Sequence, residues 1–369
     1  MEIAVIGTGG GYGESIVLQW DDGKSAVVDS CIDPQTESCL PLEYLRTAGA
    51  DLEKVQFIVA THWHDDHIRG ISEVLRACPN AVFWTTAAKD WAIFIRLMLA
   101  DSRNGGAALK GKSDTSQRAL SELEVCMEII ASRGIHGPER AQGDRLVYRE
   151  SALKLEVFAL SPSELAISKY EQEIASHIDE IGKFRTRIPR IGPNDKSVAL
   201  IVQYKGESII LGADLEIGTT TTNGSTGWKD VMNGKQCIEP GLRARVLKVA
   251  HHGSAGAQHL GFWSDLVAPE VMSVMTPWQK CVTNYVPDDI ELDFVAGKSA
   301  HVYITSTHGS IGKPKPRDTE TKKLISKVGL RLSEVKYRYG LIRIVYDEAN
   351  NIWKCELHGS ALGVKHPAV

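Results

Sequence analysis

Apolar residues fall along this chain in short blocks that follow two different periods. Blocks rich in Val, Ile and Leu, alternating or uninterrupted, predict strands at 2–7, 15–20, 25–29, 57–60, 81–85, 153–160, 197–204, 208–211, 245–250 and 271–275. The turn Asp21-Asp22-Gly23-Lys24 joins the second and third of these as a hairpin. Helical spacing predicts helices at 41–48, 68–77, 89–99, 117–132 and 163–183. Strands, then helices, then strands again imply an α/β fold in which helices cover both faces of packed sheets. The Gly-rich stretch 102–112 reads as a loop, and 164–194 reads as a polar helix followed by a basic loop, GKFRTRIPRIGPNDK. After Ile311 comes GKPKPRDTETKK, a charged linker, and then a terminal hairpin at 337–346 and 352–358. The expected layout is a large domain at 1–312, with helical insertions near 90–145 and 163–194. A linker and small β-hairpin appendage at 313–369 would follow.

Composition narrows the class. The 369 residues are 43% apolar and 24% charged, an ordinary globular balance. Lys and Arg number 42 against 46 Asp and Glu, a net charge of −4. That excludes a globally basic nucleic-acid coat but leaves room for a local basic track. Seven scattered cysteines with no CxxC pair exclude a thiolate zinc site and a disulfide framework, and point to a cytoplasmic setting. The start lacks a basic signal-peptide region, and no apolar stretch approaches about 18 residues, so no membrane partner is expected.

The segment with the most chemistry is His62-Trp63-His64-Asp65-Asp66-His67, which follows a buried strand and precedes a helix. On extended backbone His62 and His64 point to one side, and the turn into the helix carries Asp66 and His67 to a neighbouring position. Imidazole and carboxylate donors suit Zn²⁺ and also Mn²⁺. The glycines at 7, 9, 10, 11 and 13 do not satisfy the GxGxxG spacing and lead into a strand, which excludes a dinucleotide loop. They read instead as a tight turn beside the metal site.

The HxHxDH run resembles the metallo-β-lactamase superfamily. The branch it is most similar to is the hydrolase domain of ComEC-type DNA-internalisation proteins and their stand-alone homologues. The resemblance rests on Gly9…Gly13-Glu14-Ser15 with Val28-Asp29-Ser30, on Asn194-Asp195-Lys196-Ser197-Val198-Ala199-Leu200, and on Ile210-Leu211-Gly212-Ala213-Asp214. Lys248-Val249-Ala250-His251-His252-Gly253-Ser254 and the closing runs at 271–274 and 302–311 extend it to about residue 312. It implies an αββα sandwich of two packed mixed sheets with helices on both outer faces. It also implies one or two Zn²⁺ ions, or Mn²⁺, held by His62, His64, Asp66, His67, Asp214 and His252. Asp214 would bridge the metals, Asp66 would orient the nucleophile, and His251 would assist the leaving oxygen. The chain departs from two-metal members at Ser161, where a mid-chain histidine is usual; His136 and His177 fall in the expected insertions. One metal or two therefore stays open.

The expected activity is metal-dependent hydrolysis, foremost of a DNA or RNA phosphodiester backbone. A small-molecule phosphodiester, lactone or thioester is the alternative, and a non-catalytic metal-stabilised module is a third. Candidate substrate contacts are Trp63, Ser161, Ser254 and the basic track of Lys183, Arg185, Arg187 and Arg190. Trp63 reads equally as a packing residue, and the basic track reads also as a solvated loop.

Overall fold

The computed structural model describes residues 1–9, 13–21, 23–86, 113–181, 193–281, 284–307 and 339–364. The expected helix 89–99, the loop 102–112, the track from Lys183 to Arg190 and the linker at 313–323 lie outside the described residues.

In chain order the strands are β1 (Glu2–Gly7), β2 (Glu14–Gln19), β3 (Ser25–Val28), β4 (Val55–Ala60), β5 (Val82–Thr86), β6 (Glu139–Ala141), β7 (Leu146–Glu150) and β8 (Leu155–Ala159). They continue as β9 (Leu200–Tyr204), β10 (Glu207–Leu211), β11 (Thr220–Thr221), β12 (Gly224–Ser225), β13 (Ala244–Lys248) and β14 (Val267–Met275). The last are β15 (Trp278–Cys281), β16 (Asn284–Val286), β17 (His301–Ile304), β18 (Gly340–Asp347), β19 (Ile352–Gly359) and β20 (Leu362–Gly363). Two mixed eight-stranded sheets result, ordered β19-β18-β1-β2-β3-β4-β5-β6 and β20-β17-β14-β13-β10-β9-β8-β7.

The helices are α1 (Leu40–Thr47), α2 (Asp65–Ile68), α3 (Ile71–Ala77), α4 (Ser113–Ser132), α5 (Glu164–Ile181), α6 (Gly227–Met232), α7 (Leu260–Asp265) and α8 (Asp289–Lys298). Three apolar clusters define four layers. Ile3, Val5, Val28, Phe57 and Val59 of the first sheet meet Val157, Leu200, Val202, Leu211 and Val246 of the second. Behind the first sheet, Ala4, Val17, Val27 and Ile58 pack on Leu45 of α1, Val74 of α3 and Leu123 and Cys126 of α4. Behind the second, Ile201, Leu247 and Ile304 pack on Trp228 of α6, Phe262 of α7 and Val295 of α8. Strands covered on both faces need apolar residues at nearly every position, so β1, β4, β9 and β10 read as continuous runs rather than alternating ones.

Two expectations about layout are corrected. The terminal hairpin is not an appendage: β18 pairs antiparallel with β1 in full register, from Glu2↔Val345 to Gly7↔Gly340, and β20 closes the edge of the second sheet. The region near 139–145 is not a helical insertion, because β6 and β7 lie at the edges of the two sheets. No described helix is long and apolar enough to cross a membrane.

Candidate metal centre

Strands β3, β4 and β5 run parallel in one sheet, as do β10, β13 and β14 in the other. Their carboxyl ends open into the turns that bear the candidate ligands, the place where open α/β sheets gather polar groups. His62 and His64 follow β4, Asp66 and His67 open α2, Asp214 follows β10, and His251 and His252 follow β13. The approach of β10 and β13 is close: a Cβ on Gly212 would meet the Ala250 nitrogen at 2.8 Å. Gly13 has the same role on the opposite side, with φ +134 and the Asp66 carbonyl 2.7 Å from where its Cβ would be. Gly13 thus abuts the turn that presents Asp66.

Each buried histidine is oriented through its Nδ1 atom. His67 Nδ1 donates to Asp29 Oδ2 at 2.7 Å, and His252 Nδ1 donates to the Thr276 carbonyl at 2.8 Å. His62 Nδ1 lies 3.0 Å from Thr61 Oγ1, which donates to Asp29 Oδ2 at 2.8 Å, so His62 donates into that chain. With Nδ1 occupied in all three, Nε2 is the ring nitrogen that faces inward. The Nε2 atoms converge on two carboxylates. Asp214 Oδ1 is 3.3 Å from His67 Nε2, and Asp214 Oδ2 is 3.6 Å from His62 Nε2 and 3.7 Å from His252 Nε2. Asp66 Oδ2 is 3.4 Å from His252 Nε2 and 4.0 Å from His67 Nε2. His64 joins through Nδ1, 3.0 Å from His62 Nε2.

The donors fall into two adjacent groups that share His67: His62, His67 and Asp214, and Asp66, His67 and His252. His67 Nε2 and Asp214 Oδ1 are buried 3.3 Å apart with no further partner among the described residues, a pair that a cation can complete. Imidazoles and carboxylates without thiolates suit Zn²⁺ or Mn²⁺. A third buried group, Glu14, Asp29 and His67, is different in kind. There the Lys248 ammonium lies 2.8 Å from Glu14 Oε2 and already supplies the positive charge.

Electrostatics agree with a cation between the carboxylates. Burial resists charge on His67, but Asp214, Asp29 and Asp66 outweigh it and hold its pKa well above the usual range. His252 is raised in the same way, against burial, by Asp214 and Asp66. Burial lowers His62 and His64 below the usual histidine value. Although burial opposes ionisation of Asp66 and Asp214, the facing histidines hold both carboxyls below their usual range.

His251 stands apart from the two donor groups. It is part-exposed, its Nε2 accepts from Asn194 Nδ2 at 3.1 Å, and it lies 4.0 Å from Asp214 Oδ2. Both His251 and His252 adopt left-handed backbone, φ 48 and 56, strain that the turn imposes to direct two adjacent rings differently. A cleft of about 380 Å³ opens over the centre, lined by Trp63, His64, Asp66, Asp214, His252, Ser254 and Trp278 among others.

Ser161 is not brought to that cleft, which corrects its reading as a substrate contact. It is buried, donating to the Ser197 carbonyl at 2.6 Å and accepting from the Ala199 nitrogen at 2.8 Å, so its hydroxyl ties β8 to the start of β9. Trp63 lines the cleft and packs partly on the first sheet's outer core. Lys183, Arg185, Arg187 and Arg190 lie outside the described residues, and no described Lys or Arg lines the cleft. Asp29 and Ser197 stood within the quoted motifs, but that Asp29 orients His67 and that Ser197 Oγ accepts from the Asp214 nitrogen at 3.0 Å was not readable, nor were the places of Thr61, Thr276 and Trp278.

Among curated proteins no sequence matches this chain. Solved structures that it is similar to include a metallo-β-lactamase mutant from Cronobacter sakazakii, at 14% identity and TM-score 0.32 over 60% of this chain and 63% of that one. A subclass B3 metallo-β-lactamase from a soil metagenome library is similar at 15% identity and TM-score 0.33, over 69% of this chain and 81% of that one. A metallo-β-lactamase from Novosphingobium pentaromativorans is similar at 15% identity and TM-score 0.32, over 64% and 68%. The chain thus spans less than two thirds of the Cronobacter enzyme. The family profile described as "Metallo-beta-lactamase superfamily" matches residues 8–262, a span that holds every candidate ligand. The chain belongs to the metallo-β-lactamase superfamily.

Proposed function

We propose that this chain is a metal-dependent phosphodiesterase whose scissile bond lies in a nucleic-acid backbone, as its similarity to ComEC-type hydrolase domains implies. The observation that carries this reading is the place of Asp214, whose two carboxylate oxygens face His67 on one side and His62 and His252 on the other. A carboxylate that faces histidines of both adjacent donor groups suits a pair of divalent cations, the arrangement that clamps both oxygens of a phosphoryl displacement. His62, His64 and Asp214 would supply donors to one cation, and Asp66, His67 and His252 to the other. Bound there, the cations would supply Lewis acidity, lowering the pKa of water to about 7 and offsetting charge on the ester oxygens.

The chain's own residues do the rest. Asp66, fixed at the first turn of α2, would accept a hydrogen bond from the attacking water and set its direction. Asp29, Thr61 and Thr276 keep the three imidazoles in the tautomer that presents Nε2. His251, whose Nε2 accepts from Asn194 Nδ2, would release that bond to take up the proton of the attacking water and pass it to the leaving oxygen.

One observation favours a second reading, hydrolysis of a small ester: no described cation lines the cleft to track a polyanion. Metal-loaded protein assayed on DNA, RNA and bis(p-nitrophenyl) phosphate separates the readings. A nuclease cleaves nucleic acid, and its binding weakens steeply with salt. Cleavage of the chromogenic diester alone, without a salt slope, supports the small-ester reading. Hydrolysis of none of the three overturns the phosphodiesterase proposal.

A further inference from the structure

The strand pair β15–β16 belongs to neither main sheet. Its register sets Trp278 directly opposite Val286, and Gln279 opposite Tyr285. Paired residues of an antiparallel ladder share a face, so Trp278 and Val286 form one apolar face and Gln279 and Tyr285 the other. The apolar face lines the cleft over the metal centre, together with Trp63 of the ligand motif. Trp278 is only half-buried and enters none of the three apolar cores, although an indole is among the largest surfaces a fold can bury.

The base of the hairpin is fixed against the ligands. The Thr276 carbonyl, two residues before Trp278, accepts from His252 Nδ1 at 2.8 Å. Pro287, just past Val286, packs over Gly253, where an added Cβ would sit 3.3 Å from the Pro287 Cβ. The indole is therefore carried on backbone hydrogen-bonded to a candidate metal ligand.

We propose that Trp278 is a specificity-determining residue, stacking on a planar ring carried by the ester held at the metal centre. This rests on the phosphodiesterase reading, under which that ring is a nucleobase. The cleft divides the work. The charged ester would be met by the metals and by carboxylate and imidazole groups, while Trp278, Val286 and Trp63 offer a surface of about the chemistry of a base's π-face. Trp278, Val286 and Trp63 give the cleft a surface that discriminates by stacking. At about 380 Å³ it has room for one nucleotide rather than a run of them.

The test is calorimetric binding of AMP, phenyl phosphate and ribose 5-phosphate to the zinc-loaded full chain, for wild type, Trp278→Ala and Trp278→Phe. AMP should bind wild type about tenfold or more tighter than ribose 5-phosphate. Trp278→Ala should erase that ratio while leaving ribose 5-phosphate affinity unchanged, and Trp278→Phe should keep most of it. Circular dichroism and zinc content establish that each variant is folded and loaded. Equal binding of AMP and ribose 5-phosphate by wild type, or an intact ratio in Trp278→Ala, overturns the role of Trp278 and leaves the phosphodiesterase reading standing. Phenyl phosphate binding as tightly as AMP overturns the assignment of the ring to a nucleobase. Failure of all three phosphate esters to bind loaded wild type overturns the stacking proposal, while the phosphodiesterase reading is overturned only by absent hydrolysis of DNA, RNA and bis(p-nitrophenyl) phosphate.

Discussion

Replacing Asp29 by Asn tests whether the site's histidines are set from behind. Asp29 accepts three hydrogen bonds: from the Thr61 nitrogen at 2.8 Å, from Thr61 Oγ1 at 2.8 Å and from His67 Nδ1 at 2.7 Å. Asn is nearly the same size and tolerates the left-handed backbone found there, φ 59, so strain changes little. Its carboxamide can accept from the Thr61 nitrogen through Oδ1, but its Nδ2 then faces the proton on His67 Nδ1. Two donors at that distance repel, and His67 relieves the conflict by moving its proton to Nε2, the atom meant for metal. Loss of an orienting carboxylate lowers metal affinity by about 10- to 100-fold, about 1.4 to 2.7 kcal/mol. Competition with a calibrated zinc chelator measures this, with thermal unfolding of the metal-free protein as the control for folding. Wild-type affinity in a folded Asp29→Asn protein would refute the wiring through His67.

Other perturbations separate structural from metal-binding roles. Ser161→Ala should cost about 1–3 kcal/mol in urea unfolding, because the Ser197 carbonyl and Ala199 nitrogen lose a buried partner. Its metal content should not change; loss of an equivalent would make Ser161 a ligand. Lys248→Met should cost about 3–5 kcal/mol by removing the ammonium 2.8 Å from buried Glu14, which keeps only the more distant rings of His67 and His252. Adding Glu14→Gln should recover much of that, and an unaltered melting curve in the single variant would contradict the pairing. For the metal-free protein, stability should peak near about pH 6.5. His67 and His252 have raised folded pKa values, so their contribution is complete below the unfolded value and is lost as pH rises through the folded ones. His62 and His64 have lowered values, so their contribution is present above the unfolded value and is lost as pH falls below it. Metal must displace the protons on His67 and His252, so loading should move the optimum to higher pH; an optimum that stays put on zinc addition would contradict this.

The strands that build the two sheets were legible because layers cover both their faces, which forces apolar runs such as Ile209-Ile210-Leu211. The edge strands β6 and β7 were not, since Glu-Arg-Ala and Leu-Val-Tyr-Arg-Glu face solvent on one side and carry no such run. The expected helix 68–77 is broken at Arg69–Gly70, because the motif turn itself forms α2 before α3 begins. No local pattern could reveal that β18 pairs with β1, a contact between opposite ends of the chain. Within the site, residues clustered in sequence could be read from spacing, as for His62 to His67. Asp29, Thr276 and Trp278 act through backbone direction and sheet register, which follow only from the assembled fold.

The central claim is that His62, His64, Asp66, His67, Asp214 and His252 hold metal. Elemental analysis of the purified chain, after expression with zinc and manganese, tests it most directly alongside Asp214→Ala. Wild type should carry one to two equivalents of Zn²⁺ or Mn²⁺. The variant should lose at least one while its circular dichroism stays native. A metal-free wild type, or a folded Asp214→Ala protein with undiminished metal, would contradict the account.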